Sequence, residues 1–286
     1  MKRILWLQTG GTVNCRKTNS GLAPGTKAGI AVNVSGINCE TEAIFTLDSS
    51  DITPHHWQML AKRILEAGAN YDGFVITHGT DTLEYSAAAL SLMLGNIEKP
   101  VIFTGAILPP HEEDSDAAGN LTAAFEAARD LKSGVFIAFA GKIMNGISCV
   151  KLHSKDKNAF FDTDLSGRLA GSDACVAPLC EKVFVLKITP NSSSDIVDFI
   201  LEKGYKGVIC EGFGLGGIPC GLLERLGELV ISGVRVVIVS QCLCGGADLS
   251  IYAAHRKVRD LGLEAWSMTA AAALARLMLE LGPRDC

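Results

Sequence analysis

Hydroxyls and carboxylates gather in four short segments of this chain, three of them at the ends of apolar runs. Thr9-Gly10-Gly11-Thr12 sets a threonine just past two glycines, which let the backbone approach a ligand and leave the Thr12 hydroxyl in the turn. Thr77-His78-Gly79-Thr80-Asp81-Thr82 ends a second apolar run and opens into a helical stretch. Thr80 and Asp81 then fall at a helix N-terminus, where backbone N–H groups and the helix dipole favour negative charge. Thr104-Gly105-Ala106 repeats the strand-to-glycine pattern, and Asp48-Ser49-Ser50-Asp51 puts two hydroxyls and two carboxylates just before another helix. The chemistry open to such a set is attack by a threonine hydroxyl, provided a neighbouring base takes its proton. Taken singly, each segment also has a plain structural reading: a glycine turn around Thr12, a helix cap at Asp81 or Thr82, and a capping turn at 48–51.

The elements that must position these residues are legible from hydrophobic spacing. Apolar runs at 4–7, 74–76, 101–103, 135–140, 183–188, 208–210 and 234–239 have the length and composition of buried strands. Helical spacing fills the intervals: Trp57, Leu60, Ala61, Ile64 and Leu65, then 83–94 and 121–131, and later 194–202, 222–232 and 270–281. Thr53-Pro54 supplies a start signal for the first helix, a hydroxyl cap followed by a proline that needs no amide partner. Buried strands alternating with helices predict an α/β chain of two unequal α/β domains, with mainly parallel, helix-covered sheets. The periodicity fails over 163–182, a stretch rich in Gly, Ser, Asp and Ala, which is the expected linker. It separates a larger N-terminal domain over 1–162 from a smaller C-terminal domain over 183–286. In open α/β sheets ligands bind at the carboxyl ends of the strands, and that is where the hydroxyl-bearing segments fall.

Composition narrows the function classes. A chain of 286 residues that is 48% hydrophobic and 20% charged is not intrinsically disordered. With 26 basic against 31 acidic side chains the net charge is −5, and no long basic run is present, so nucleic acid is not the expected partner. No segment approaches the ~18 uninterrupted apolar residues of a membrane span. Met1-Lys2-Arg3 leads into an apolar stretch that stops at Gln8, too short for a signal peptide, so the expected location is the cytoplasm. The ten cysteines contain no Cys-x-x-Cys pair, and Cys242-Leu243-Cys244 has no matching second pair for zinc. In a reducing compartment they are expected to serve as small apolar residues. The scattered His55, His56, His78, His111, His153 and His255 suggest no metal site, and no cofactor is expected.

Together these segments resemble the bacterial-type L-asparaginase family, most closely its cytoplasmic, type I branch. The resemblance covers nearly the whole chain. It is carried by Thr9-Gly10-Gly11-Thr12, Asp48-Ser49-Ser50-Asp51, Val75-Ile76-Thr77-His78-Gly79-Thr80-Asp81-Thr82, Thr104-Gly105-Ala106, and Val150-Lys151-Leu152 with Ala159-Phe160. In the second half Gly212-Phe213-Gly214-Leu215-Gly216-Gly217-Ile218-Pro219, Gln241-Cys242 and Asp248-Leu249-Ser250-Ile251-Tyr252 fit the same pattern, and Gly21-Leu22-Ala23-Pro24-Gly25 points to the type I branch.

The resemblance implies an amidohydrolase that converts L-asparagine to L-aspartate and ammonia. Thr12 matches the family's nucleophile, which leaves an acyl-enzyme ester for water to hydrolyse. Thr80, Lys151 and Asp81 match a proton-handling group, although a lysine can act as a base only where burial and neighbours lower its pKa. Ser49 and Ser50 match the positions that hold the substrate's α-carboxylate, Asp81 meets its α-ammonium, and the Ala106 carbonyl accepts the leaving amide. Backbone N–H groups at Gly79-Thr80 and around Gly11-Thr12 are the expected oxyanion donors. A homodimer or homotetramer is implied, with L-asparagine or L-glutamine as the small-molecule partner. The alternatives are a glutaminase-asparaginase and a non-catalytic amino-acid-binding homologue. The chain departs from the secreted branch in having no tyrosine between Thr12 and Tyr71, with Leu22 in that region, and in carrying Leu215 where that branch has an asparagine.

Overall fold

The computed structural model describes every residue except 19, 20, 24, 26–29, 31, 32, 166–172, 175, 252–257, 259 and 284–286. Pro24, Cys175, Tyr252, His255, Cys286, the side chain of Leu22 and much of the expected linker 163–182 therefore lie outside the described residues. The chain forms two compact units, one built on Met1–Asp162 and the other on Ala177–Cys286.

In the first unit β1 (Lys2–Gly10), the short pair β2 (Arg16–Thr18) and β3 (Gly21–Ala23), and β4 (Ile37–Leu47) come first. They are followed by α1 (Pro54–Ala67), β5 (Gly73–Thr77), α2 (Leu83–Met93), β6 (Pro100–Thr104), α3 (Ala117–Asp130), β7 (Gly134–Phe139) and β8 (Lys142–Asn145). Six of these strands make one sheet in the order β4-β1-β5-β6-β7-β8, parallel except for β8. Strands β1, β5 and β6 lie inside it and are almost wholly buried, which is why they read as continuous apolar runs. One face carries α3, whose Leu121, Ala124, Phe125 and Ala128 pack with Ile4, Trp6, Val75 and Ile102.

The chain runs from β1 outward to β4 and then crosses back to β5 on the other side of β1. The strand order thus reverses beside β1, and a crevice opens outside the carboxyl ends of β1 and β5 at such a point. A separate two-stranded ribbon pairs β9 (Cys149–Lys151) with β10 (Phe160–Asp162), Phe160 opposite Lys151.

The second unit holds β11 (Val183–Lys187), α4 (Ile196–Glu202), β12 (Gly207–Gly212), α5 (Cys220–Ile231), β13 (Arg235–Ser240), β14 (Glu264–Ala265) and α6 (Ala270–Glu280). Its four strands are all parallel, in sequence order. Gln241 donates its side-chain amide to the carbonyls of Ile188 and Glu211, both at 2.6 Å, tying the ends of β11 and β12. The expected two-domain α/β class with mainly parallel sheets is therefore what the chain adopts. Strand β4 was not among the expected strands, because its Asn38-Cys39-Glu40-Thr41-Glu42 segment is polar and it lies half-exposed at the sheet edge.

Behind the crevice a buried polar relay holds the turn after β5. Trp57 donates to the Ser86 hydroxyl at 2.9 Å, Ser86 is 2.9 Å from His78 Nε2, and His78 Nδ1 is 2.7 Å from the Gly79 carbonyl. Since a carbonyl only accepts, Nδ1 carries the ring proton and Nε2 accepts from Ser86. His78 is fully buried, and that burial holds its pKa down to about 4.

The relay and the turn it supports are each open to test. The unfolded chain binds a proton at His78 below its ordinary value near 6.5, whereas the folded chain does not until about 4. Stability is therefore intact above 6.5 and falls as the pH drops toward 4, by about 3 kcal/mol in total. Urea unfolding across that window should show the decline, and NMR should show an untitrated Nδ1–H imidazole from about pH 8 to 5; a ring midpoint near 6.5 would contradict the buried relay. Separately, Gly11 has φ 74° and ψ −177°, a region open only to glycine, and a Cβ there would stand 2.6 Å from Gly79 Cα. Gly11→Ala should lower unfolding free energy by about 2 kcal/mol or more, and a loss within error of zero would show that the two turns are not pressed together.

Candidate active site

Four turns meet at the crevice. The first leaves β1 through Gly10 and Gly11 into a single 3-10 turn, Thr12–Asn14. The Gly11 N–H donates to the Leu47 carbonyl at 3.3 Å, binding this turn to the end of β4. Next comes Ser49–Asp51, another 3-10 turn, capped by the Asp48 carboxylate, which accepts from the Ser50 backbone N–H at 2.9 Å and from the Ser50 hydroxyl. Those two bonds hold the Asp48 carboxyl below its ordinary range against the opposing effect of burial. The turn after β5 carries Thr80 and Asp81, and the Thr82 hydroxyl reaches back to the Ser49 carbonyl at 2.6 Å. The turn after β6 is fixed by Asn120, which donates to the Gly105 carbonyl at 3.0 Å while its own oxygen accepts from Ala140 N–H at 2.8 Å.

The result is a cleft of about 210 Å³ lined by Gly11, Thr12, Cys15, Asp48, Ser49 and Thr80, with Leu47, Gly79 and Asp81 completing it. Thr12 is partly exposed there, and among the described residues its hydroxyl has no hydrogen-bond partner. Lys151, on β9, extends its ammonium to the Thr80 hydroxyl at 2.9 Å and to Asp81 Oδ1 at 2.5 Å. The lysine side chain is mostly covered, 13% exposed, whereas Asp81 is 69% exposed, so the carboxylate keeps a free oxygen toward solvent. This arrangement sets an unengaged hydroxyl, a hydroxyl bonded to a cation, and an accessible carboxylate around one small polar space.

Of the residues expected from sequence, the structure brings Thr12, Ser49, Thr80 and Asp81 to the cleft and Lys151 onto Thr80 and Asp81. Ser50 and Ala106 do not line it. The Ser50 hydroxyl is committed to Asp48, and Ala106 is buried in a small cluster with Val13 and Ala117, beneath the Thr12 turn. The Gly11 amide, expected among the oxyanion donors, is already bonded to Leu47.

Sequence reasoning passed over several residues. Cys15 lines the cleft three positions past Thr12, its thiol donating to the Gly11 carbonyl at 3.4 Å and pushed up in pKa by burial and the nearby Asp48. Cys149, two residues before Lys151, is buried against the Met144 sulfur, and burial raises its pKa strongly. Ser86 and Asn120 are polar residues in helices α2 and α3, and their burial in otherwise apolar patterns was the available signal. Among the described residues no group of three metal-ligating side chains converges, and no helix is long and apolar enough to cross a membrane.

Comparisons with known proteins bear on the whole chain. An L-asparaginase of Thermococcus kodakarensis is 35% identical over 98% of this chain and 93% of its own length. A glutamyl-tRNA(Gln) amidotransferase subunit of Pyrococcus furiosus is 33% identical, the match spanning 98% of this chain and 72% of that protein. Among solved structures, the thermostable L-asparaginase from Thermococcus kodakarensis superposes with a TM-score of 0.89 at 36% identity, covering 99% of this chain and 94% of that one. A probable cytoplasmic L-asparaginase from Campylobacter jejuni gives 0.80 at 27% identity, covering 98% and 95%. The family model for the asparaginase N-terminal domain matches residues 3–173, which hold the whole cleft, and that for the glutaminase/asparaginase C-terminal domain matches 182–285. The threonine-lined crevice at the reversal of strand order is thus set in a chain that belongs, over both of its units, to the asparaginase family.

Proposed function

We propose that the cleft hydrolyses the side-chain amide of L-asparagine, giving L-aspartate and ammonia through a threonine ester. The observation that carries this reading is the contact of the Lys151 ammonium with both Thr80 and Asp81, beside an unengaged Thr12 hydroxyl. Thr12 Oγ attacks the amide carbon as its proton passes to the Thr80 oxygen, and Thr80 hands its own hydroxyl proton on toward the amide nitrogen. The tetrahedral oxyanion collapses, the proton goes to the departing nitrogen, and ammonia leaves an ester on Thr12. Water attacks the ester carbon while its proton passes through Thr80 to the departing Thr12 oxygen, which frees aspartate and restores both hydroxyls. Asp81 and Lys151 form an ion pair, so the lysine's main contribution is a positive charge that favours negative charge developing on the Thr80 oxygen.

The same geometry supports a scheme for recognition. The free oxygen of Asp81 receives the substrate's α-ammonium. Ser49 is favoured over Ser50 for the α-carboxylate, because the Ser50 hydroxyl is held by Asp48. The oxyanion falls to N–H groups of Thr12, Gly79 and Thr80 rather than Gly11, and loss of one such donor costs about 3 to 4 kcal/mol in other enzymes. A cytoplasmic location and a homodimer or homotetramer remain part of this proposal, the first in keeping with the name of the Campylobacter jejuni neighbour.

Purified full-length protein should release ammonia from L-asparagine. Turnover of L-glutamine is the informative comparison, since one methylene in a pocket discriminates by only about 1 to 3 kcal/mol. A folded protein with no turnover of either, but with aspartate binding in calorimetry, would replace hydrolysis by the binding-homologue reading. Thr12→Ala and Thr80→Val should each lower kcat at least about a hundredfold with unchanged circular dichroism; near-normal rates in both would remove the nucleophile assignment.

A further inference from the structure

Glu84 lies four residues past Thr80, at the second position of α2, and its carboxylate accepts the backbone N–H of Lys151. The strand that carries Lys151 has only one partner: β9 pairs with β10 on one side, where Leu152 N–H donates to the Ala159 carbonyl, and its other edge has no neighbouring strand among the described residues. The Lys151 amide points off that unpaired edge, and a backbone donor in such a place needs an acceptor. Glu84 supplies it from a half-buried position, where a carboxylate is costly to desolvate unless it is bonded.

We infer that Glu84 is a positioning residue for the proposed reaction: by fixing the main chain of Lys151 from the first turn of the helix that follows Thr80 and Asp81, it sets where the lysine ammonium meets the threonine hydroxyl. Both ends of Lys151 are then referenced to one short segment, 80–84, the turn after β5 and the start of α2. The side-chain end bonds Thr80 and Asp81, and the backbone end bonds Glu84. Without Glu84 the Lys151 amide loses its acceptor, and a flexible four-carbon side chain must find the hydroxyl from a shifted origin. The inference rests on the reading of Thr80 and Lys151 as the proton-handling pair.

The test compares wild type, Glu84→Ala and Glu84→Gln as full-length proteins in two measurements, steady-state hydrolysis of L-asparagine and NMR exchange of the Lys151 amide proton. Glu84→Ala should lower kcat about tenfold to hundredfold, the scale on which small misplacements act, with little change in KM, and should speed exchange of the Lys151 amide. Glu84→Gln, whose amide oxygen still accepts the N–H, should restore most of both. A Glu84→Ala enzyme with wild-type kcat, unchanged Lys151 exchange, or a Glu84→Gln variant as impaired as Glu84→Ala would each overturn the inference. If the wild type releases no ammonia, the hydrolytic reading falls on its own, while the exchange rates still decide whether Glu84 holds the lysine strand.

Discussion

Main chain pressed against main chain, at places where any Cβ would intervene, is the constraint on which the site depends. A Cβ on Gly11 would strike the Gly79 backbone, one on Gly10 would strike the Leu47 carbonyl, one on Gly79 would meet the Ser49 side chain at 2.6 Å, and one on Gly105 would meet the His78 carbonyl at 2.5 Å. These contacts link the turns after β1, β4, β5 and β6 in series. They are short because the glycines have no side chains, and only turns this close can surround a space as small as one amino acid. Parallel strands deliver the four turns to the same edge of the sheet, and the reversal of order beside β1 opens the gap between them.

The polar groups divide sharply between the back and the front of this arrangement. Behind the turns nearly every buried polar group is matched: Thr77 accepts from Trp6 and its carbonyl accepts from Thr9, Gly79 is held by His78, Gly105 by Asn120, and the Ser49 carbonyl by Thr82. Each such bond adds only about 1 kcal/mol to stability, but leaving one partner buried and unmatched costs more, so the turns have few other conformations open to them. At the front, Thr12 and one oxygen of Asp81 have no such commitments. A rigid, satisfied back wall and an unsatisfied front face are what preorganised recognition of a polar molecule requires.

How far this could be read beforehand depended on whether a residue's task is local. The buried strands were visible because burial on both faces leaves an uninterrupted apolar run, as in Phe74-Val75-Ile76 and Val101-Ile102-Phe103. Thr12, Thr80 and Asp81 were visible because a glycine turn and a helix start are local signals. Strand β4 was not, since an edge strand with Glu40 and Thr41 exposed and Glu42 bonded to Arg63 lacks the run. Ser50 looked equivalent to Ser49 in sequence, but in the fold Ser49 is buried while Ser50 is exposed, its hydroxyl turned to Asp48. The same holds for the thiols. Cys149 is near Lys151 in sequence but faces Met144, whereas Cys15 reaches the cleft only because of how the Thr12 turn bends. Glu84 and Asn120 act across 67 and 15 residues of chain, distances that periodicity does not report.

The lysine belongs to a short strand pair outside the main sheet. Strands β9 and β10 contribute three residues each and stand outside the six-stranded sheet, while the threonines sit on turns anchored in its interior. Local opening of a short ribbon requires far less free energy than unfolding of a buried parallel sheet. The chemical unit and the folding unit are therefore not the same object in this protein. Opening of the six ribbon residues would part Lys151 from Thr80 and Asp81 while the sheet that carries the threonines stays folded.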